Sequence, residues 1–294
     1  MKTKGKRKQY ALGYMMAAPF YLIFLFVYLV PILETVWNGF TDRKIFETPN
    51  FIGLTNYIRI FQDTYFIKSI QNTLIYVVFN LFGVMVIGLS LALLVNSKLV
   101  KTGVFRVAYF IPYIASMVSV SIIWIWMLDP TKGFVNYLLG MIGVGGKRWL
   151  EDPKWALPAI IVMGIWKGVG YNMLVNLAGL QGVPDMYYEA ATVDGANKWQ
   201  LFWNITFPLI TPTTFFLFIT GMINSFNMFE QVNVMTGGGP MNATTTIVHQ
   251  IYTRAFLKYQ MGYASAESVL LMLFIGFFIF LSFRFGKQGD DLGM

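Results

Sequence analysis

The chain of 294 residues contains no cysteine and a single histidine, His249. Without cysteine it can form neither a disulfide framework nor a thiolate metal site, and thiol catalysis is excluded. One histidine cannot supply a His cluster for a metal ion or a proton relay within a single chain. Charged residues make up only 12% of the sequence, whereas a soluble domain carries about 25%. These shortages exclude several classes of enzyme and argue against a soluble fold.

Apolar side chains dominate the composition instead. They account for 56% of the residues, aromatic rings account for 17%, and the mean hydropathy is +0.57. One core cannot bury so much apolar surface, so lipid must cover part of it. The formal net charge is +8. In a membrane protein such an excess of cations reflects topology, so we expect no nucleic acid as a partner.

Six apolar segments are long enough to cross about 30 Å of hydrocarbon as helices. The sequence therefore predicts an all-α polytopic membrane protein with a basic tail, 1–13, one transmembrane domain, 14–285, and a second tail, 286–294. We expect the first segment to be an uncleaved span, because its apolar run is longer than that of a secretory signal. The six segments are 14–33, 74–95, 107–128, 157–180, 213–232 and 268–285.

Lysines and arginines outside the spans indicate the orientation. Their numbers on the two sides are nearly equal, but the loops on the side of the first tail are shorter. That tail and the loop with Lys98, Lys101 and Arg106 are crowded with cations, as cytoplasmic segments are. We therefore expect both termini, and the loop 181–212 between the fourth and fifth spans, to be cytoplasmic.

The loop 181–212 is a polar island with helical composition. Pro184 can start a helix, and Gly195 can supply a turn or C-cap. Asn197 can cap a second helix that runs to about Ile205, and Pro208 is expected to end it. The pattern predicts a helix, a glycine corner and a second helix at the membrane surface. An ordinary amphipathic re-entry into the bilayer is the alternative.

This loop resembles the EAA loop of ABC-importer permeases, in which Glu-Ala-Ala, three residues, Gly, nine residues, Ile and then Leu-Pro recur. Glu189, Gly195, Ile205 and Pro208 fit that spacing, and Phe207 replaces the usual Leu. In the family the loop docks into a groove on the ATP-binding subunit. The residues that the resemblance assigns to ATPase coupling are Glu189, Ala190, Ala191, Asp194, Gly195, Ala196, Ile205 and Pro208.

The resemblance also implies a role for individual residues of the loop. Glu189 would be an anchoring charge or a helix cap, and Gly195 would form the bend. Ala190 and Ala191 would allow close approach to the ATP-binding subunit. Since the ATPase site lies in that partner, the resemblance implies ATP and Mg²⁺ there and no cofactor in this chain.

The resemblance to the sugar-importer branch, similar to the maltose-type permeases, covers most of the chain. It implies a carbohydrate cargo, a second homologous permease, two ATP-binding subunits and an extracytoplasmic solute-binding protein that meets the loop 234–267. It places the chain in the cytoplasmic membrane of a prokaryote. Segments with this resemblance include Phe51-Ile52-Gly53-Leu54, Ile111-Pro112-Tyr113, Thr236-Gly237-Gly238-Gly239-Pro240 and Gly262-Tyr263-Ala264.

The chain has no convincing nucleotide site of its own. The nearest approach to a phosphate-binding loop, 143–148, lacks the first glycine, which is Met141, and has Arg148 where Ser or Thr should follow Lys147. We also find no nucleophile and base in the predicted spans. An enzyme is therefore not expected.

Carboxamides and a carboxylate in the fourth and fifth spans mark a candidate substrate path. Asn224, Asn227 and Gln231 are spaced to share one face of a helix, and Asn172 and Asn176 share another. Such groups bind sugar hydroxyls, although hydrogen bonds that only hold the helices together are an alternative. The predicted substrate path comprises Asn224, Asn227, Glu230, Gln231, Asn172 and Asn176.

Lys167 is a further charge within the fourth span, where it could pair with Glu230 or extend to the interface. Together these features predict the permease subunit of an ATP-driven, binding-protein-dependent carbohydrate importer. An ion-gradient-driven secondary transporter is the alternative. It predicts paired carboxylates or broken helices at mid-membrane, and often internal inverted repeats. Glu230 is the only candidate, and no repeat is visible in the sequence.

Overall fold

The computed structural model of the chain describes residues 2–45, 47–97 and 102–286. Lys98 and Lys101, which contribute to the orientation argument, lie outside these ranges, as does the predicted tail after Gly286. Within them the chain is helical apart from turns and one isolated antiparallel bridge between Thr41 and Phe51. This arrangement confirms the predicted all-α class.

Most of the described helices follow one another with short connections, but 40–54, 142–155 and 236–246 are longer. Their bounds in chain order are α1 Lys2–Ile23, α2 Val30–Gly39, α3 Thr55–Gln62, α4 Thr64–Asn96, α5 Thr102–Ile114, α6 Met117–Met127, α7 Phe134–Met141, α8 Ala156–Gln181, α9 Asp185–Val193, α10 Lys198–Leu201, α11 Phe207–Phe226, α12 Glu230–Met235, α13 Ile247–Tyr252 and α14 Met261–Gly286. Wider π-helical turns occupy Phe24–Leu29, Phe202–Thr206 and Thr253–Leu257.

Five of the six predicted spans coincide with long apolar helical stretches in the described ranges. These are Leu12–Gly39, Thr64–Asn96, Ala156–Gln181, Lys198–Met235 and Met261–Arg284. The first and last extend beyond the predicted segments because polar residues at their ends, such as Asn38 and Glu267, continue the helix. The predicted domain boundaries remain predictions.

The third predicted span, 107–128, is not one straight helix. It consists of α5 and α6, whose axes differ in direction by 98° across a short break. Ser116 in the break is extended, with φ −55° and ψ 134°. The apolar run predicted the segment, but periodicity alone could not show that its helix is interrupted.

The described chain divides into two compact units. The first takes the residues up to Asp63 together with Ile251–Met272. Its loop after α2 is fixed by Asn56, whose Nδ2 donates to the carbonyl oxygens of Gly39, at 3.0 Å, and Thr41, at 2.8 Å. The guanidinium of Arg254 is bonded to the carboxylate of Asp63. These contacts tie the two chain segments of this unit together.

The second unit takes Thr64–Gln250 and the described residues from Leu273 onward. Its centre is α8, the most buried of the long helices. Gly164 and Gly168 let α8 approach α4 closely, since a Cβ at Gly168 would lie 3.0 Å from a methyl group of Val84. This approach agrees with the small-residue spacing expected at helix contacts in membranes.

Candidate functional site

The loop after α8 folds as the predicted helix, glycine corner and helix. α9 begins after Pro184, which is extended, and has Asp185 in its first turn. Gly195 has φ +81°. The N–H of Ala196 donates to the carbonyl of Ala191 at 2.9 Å, and the N–H of Gly195 donates to Thr192 at 3.0 Å. This is a Schellman ending, which requires a residue with positive φ and favours glycine.

Asn197 starts the second helix of the corner, as predicted. Its Oδ1 accepts the N–H of Gln200 at 3.0 Å, and the Gln200 side chain accepts the N–H of Asn197 at 2.9 Å. This reciprocal pair is a capping box, which satisfies two N–H groups that otherwise have no helical partner. The direction of α10 relative to its preceding turn is therefore fixed by short-range bonds.

The prediction that Pro208 ends this helix is wrong. The chain stays helical from α10 through the π-helical turn Phe202–Thr206 into α11, where Pro208 lies in the first turn. The N–H of Phe207 donates to Phe202, five residues back. This wider turn precedes the proline, so the missing N–H of Pro208 falls where a new α-helical stretch starts. We call α9, the turn 194–197 and the helical residues 198–206 the corner.

Glu189 lies in the middle of α9 and is exposed, so it caps no helix. Within the described ranges its carboxylate forms no hydrogen bond or ion pair, which leaves it available to a cation of another protein. Ala190, Asp194 and Gly195 are exposed beside it, and Ala191 is half-buried. Small side chains around a carboxylate present a surface that a partner can approach closely.

The remaining predicted coupling residues lie in the turn, in the π-helical turn and at the start of α11. Ala196, Ile205 and Pro208 are half-buried. Large apolar side chains are exposed on the corner, with Val193 87% and Trp199 71% exposed. Large exposed apolar side chains on a small polar loop are compatible with an interaction surface.

A second candidate site is a cavity of about 340 Å³ between α4, α5, α6, α8, α11 and α12. The residues that line it carry carboxamides, hydroxyls and aromatic rings. Among these lining residues, Lys167 is the one with a charge. The rings of Tyr113 and Tyr171 stack with centroids 4.9 Å apart. The polar residues that line the cavity are Tyr76, Asn80, Tyr113, Lys167, Tyr171, Asn172, Thr220, Asn224, Ser225 and Gln231.

Three of the six predicted substrate-path residues, Asn172, Asn224 and Gln231, line this cavity. Asn176 lies behind Asn172, where its Nδ2 donates to Oδ1 of Asn172 at 2.7 Å. It is buried and orients its neighbour rather than facing the cavity.

The predicted stripe of Asn224, Asn227 and Gln231 does not lie on one continuous helix. Asn227 and Glu230 are not among the residues that line the cavity. α11 ends at Phe226, and Asn227 folds back to donate to the carbonyl of Ile223 at 2.9 Å. Glu230 is exposed in the first turn of α12. The spacing of i, i+3 and i+7 describes one face only if the helix is unbroken, and here it is interrupted between Asn224 and Gln231.

The polar residues that α4 contributes to the cavity were not predicted from the sequence. Nε2 of Gln231 donates to Oη of Tyr76 at 3.3 Å, and Oγ of Ser225 donates to Oδ1 of Asn80 at 3.4 Å. Nδ2 of Asn80 is buried and has no partner among the described residues. Tyr76 and Asn80 are four residues apart in an apolar helix, so the spacing rule used for α8 could have found them.

Polar side chains hold the segment before α13 in place. Nδ2 of Asn72 donates to the carbonyls of Asn242 and Thr245, each at 2.9 Å. Nδ1 of His249 lies 3.0 Å from Oγ1 of Thr245, and burial lowers the pKa of His249. In the described ranges no group of three or more His, Asp or Glu side chains could hold a metal ion.

Comparisons with known proteins identify what the chain is similar to. Residues 84–287 match the family described as binding-protein-dependent transport system inner membrane component. A probable ABC transporter permease protein of Pyrococcus horikoshii is 34% identical over 258 residues, which cover 86% of this chain and 87% of that protein. The sn-glycerol-3-phosphate transport system permease protein UgpA of Yersinia pestis is 31% identical over 279 residues, 94% of each chain.

A solved structure extends the similarity to the fold. A chain of the bacterial alginate ABC transporter, in complex with its alginate pentasaccharide-bound periplasmic protein, superposes on this one with a TM-score of 0.86. The two sequences are 25% identical, and the match covers 100% of both chains.

Proposed function

Since this chain belongs to the family of binding-protein-dependent transport system inner membrane components, we propose that it passes a carbohydrate through the cavity between α4, α5, α6, α8, α11 and α12. The chain is a membrane-spanning permease subunit of an ABC importer. The observation that carries the choice of cargo is the chemistry of the cavity wall, where carboxamides and hydroxyls surround a pair of tyrosine rings.

A sugar has hydroxyl groups around its edge and C–H groups on its ring faces. Asn172, Asn224 and Gln231 supply donors and acceptors for the hydroxyls, and Tyr113 and Tyr171 supply aromatic surface for the faces. The unpartnered Nδ2 of Asn80 is a further donor. Two similar proteins are described as carrying sn-glycerol 3-phosphate and alginate, both polyhydroxylated, which supports this class of cargo.

The corner is the proposed contact with a separate ATP-binding subunit. Its support is the exposed Glu189 carboxylate and the small residues beside it, together with the Schellman ending and capping box that make the corner rigid. A rigid corner transmits movement of the ATPase to α8 and α11, the helices on either side of it. Coupling requires that the corner bind differently in the two states of the ATPase, not only that it bind tightly.

The complete importer then contains two ATP-binding subunits, which hold ATP and Mg²⁺, a second homologous permease and a solute-binding protein outside the cell. In this arrangement both termini and the corner are cytoplasmic, and 234–267 faces the binding protein. The cation-rich segments of the sequence support this orientation, as does the complex of the alginate transporter with a periplasmic protein.

Affinity purification of the tagged chain from its native membrane in mild detergent tests the proposal. We expect an ATP-binding subunit and a second permease in the eluate by mass spectrometry, with ATPase activity that a sugar-loaded binding protein stimulates. A panel of neutral and anionic sugars then identifies the cargo. A lone chain without ATPase activity, reproduced in lipid nanodiscs, would contradict the proposal, and stimulation only by non-carbohydrate ligands would contradict the cargo.

A further inference from the structure

Lys167 is buried within α8, in the middle of a membrane-spanning helix. Its Nζ donates to the carbonyl oxygens of Pro112 at 3.0 Å, Tyr113 at 3.0 Å and Ala115 at 2.5 Å. An ammonium group has three N–H donors and no acceptor. All its donors are therefore used by the backbone of one neighbouring segment.

That segment is the break in the third span. α5 ends at Ile114, α6 begins at Met117, and the two axes differ by 98°. A broken helix at membrane depth leaves carbonyls without N–H partners, and nothing in hydrocarbon can replace them. Lys167 satisfies three of these carbonyls, and its positive charge lies at the negative C-terminal end of α5.

The two roles that the sequence suggested for Lys167 do not match this geometry. Glu230 acts on Lys167 electrostatically, but among the described residues it forms no direct ion pair with it. The side chain also does not extend to an interface, since its ammonium is bonded to carbonyls of the neighbouring helix. An ammonium with every donor occupied cannot bind an anionic group of a cargo without giving up one of these carbonyls.

The same part of α8 also contacts the side chain of Tyr113, near the end of α5. Tyr171 lies one turn after Lys167, and its ring stacks on that of Tyr113, with an angle of 18° between the ring planes. One residue earlier, a Cβ on Gly170 would collide with the carbonyl oxygen of Tyr109, so the backbones of α5 and α8 are in direct contact there. The backbone and the ring of Tyr113 are thus both fixed by residues 167–171.

We propose that Lys167 is a positioning residue that closes the break between α5 and α6 and thereby holds Tyr113 against Tyr171 as one wall of the cavity. It acts through these residues and not by touching the cargo. By closing the break we mean that Lys167 binds the three free carbonyls between α5 and α6, which the contacts described above support directly. The consequence for transport rests on the proposed function of the cavity.

Hydrogen–deuterium exchange of the purified complex tests the closing of the break. In Lys167→Met we expect the amides of 109–121 to exchange about tenfold faster, because three carbonyls lose their partner. Lys167→Arg, which can donate to several carbonyls at once, should restore slow exchange, whereas Lys154→Met in the loop before α8 should change nothing. If Lys167→Met does not assemble, Lys167→Gln, with two donors, replaces it and should give an intermediate rate.

A unique thiol tests the cavity wall without knowledge of the cargo, because the natural chain has no cysteine. Asn224→Cys places the thiol in the cavity, and its rate of labelling by N-ethylmaleimide is followed by mass spectrometry of this chain. We expect Lys167→Met to change that rate at least about threefold through movement of the wall, and Lys167→Arg to restore it.

Two results would overturn the proposal. One is unchanged exchange of 109–121 in an assembled Lys167→Met complex. The other is an unchanged labelling rate of the Asn224→Cys thiol in that complex, because the cavity wall would then not depend on Lys167. Normal transport in a Lys167→Met complex whose exchange and labelling have changed would instead count against the proposed function of the cavity.

Discussion

The hydroxyl oxygen of Tyr188 lies 3.0 Å from Oγ1 of Thr206. This bond joins the middle of α9 to the end of the π-helical turn, so it closes the corner across its open side. Tyr188 also packs against the apolar cluster that contains Leu177, Leu180 and Ile210. The corner is therefore fastened to α8 and α11, the two helices that an ATPase bound at Glu189 would move under the proposed function.

Removal of this bond should weaken coupling. For Tyr188→Phe we expect normal amounts of complex but about fivefold less uptake per ATP hydrolysed, because a hydrogen bond of this kind contributes about 1 kcal/mol. Thr206→Val should have the same effect. The ratio is measured in proteoliposomes with the identified sugar. If the double variant loses much more than either single variant, the two residues act separately and the account of the bond is wrong.

Gly195→Val should disconnect ATP hydrolysis from uptake. A Cβ at Gly195 would meet no atom within 4 Å, but φ is +81°, a region that a β-branched residue adopts at a cost of about 1–2 kcal/mol or more. The corner would then change its angle while the spans stay folded. Gly195→Asn is the matched control, since Asn tolerates positive φ. ATPase and uptake assays on the same vesicles separate the two activities, and wild-type uptake by the valine variant would rule out a role for this bend.

Gly170→Ala should destabilise the complex. The added methyl group would collide with the backbone of Tyr109, so α5 must move away from α8, at a cost of about 1–3 kcal/mol. Gly103→Ala in α5 is the control, because a Cβ there meets nothing within 4 Å. Thermal denaturation of both variants in detergent provides the comparison. Equal denaturation temperatures would mean that the two helices are not in close contact.

Stability should fall in mild acid because of His249. Burial lowers its pKa below the ordinary value of 6.5, so the unfolded chain binds a proton at a pH where the folded chain does not. The stability that the neutral ring contributes is present above about pH 6.5 and is lost as the pH falls below it. Phe229 and Thr245, which contact the ring, carry no charge to offset this.

The denaturation temperature of the complex between about pH 7.5 and pH 5.5 tests this dependence. We expect a smaller decrease for His249→Gln, which keeps a polar side chain but cannot be protonated in this range. The same decrease in both proteins would assign the effect to other groups.

Composition and local spacing predicted the parts of this protein that depend on short-range physics. The apolar runs located the spans because lipid requires a continuous apolar surface. Gly195 and Asn197 located the corner because the Schellman ending and capping box involve residues within a few positions of each other.

Features that depend on contacts between distant segments were not predictable in this way. The break between α5 and α6 is satisfied by Lys167, more than 50 residues later in the chain, and no local pattern indicates it. The interruption after Phe226 placed Asn227 and Glu230 outside the cavity for the same reason. Tyr76 and Asn80 could have been found, because their spacing is local even though their partners are distant.

The central claim is that the corner contacts a separate ATP-binding subunit, and cross-linking tests it most directly. Ala190→Cys introduces the only thiol of the chain, beside Glu189, and a short bifunctional thiol-to-amine reagent is added to native membranes. Lys154→Cys, in a loop that we place outside, is the matched control. We predict that Ala190→Cys cross-links to an ATP-binding protein and that ATP changes the yield, whereas Lys154→Cys does not. Cross-linking to such a protein from Lys154→Cys but not from Ala190→Cys would contradict the account.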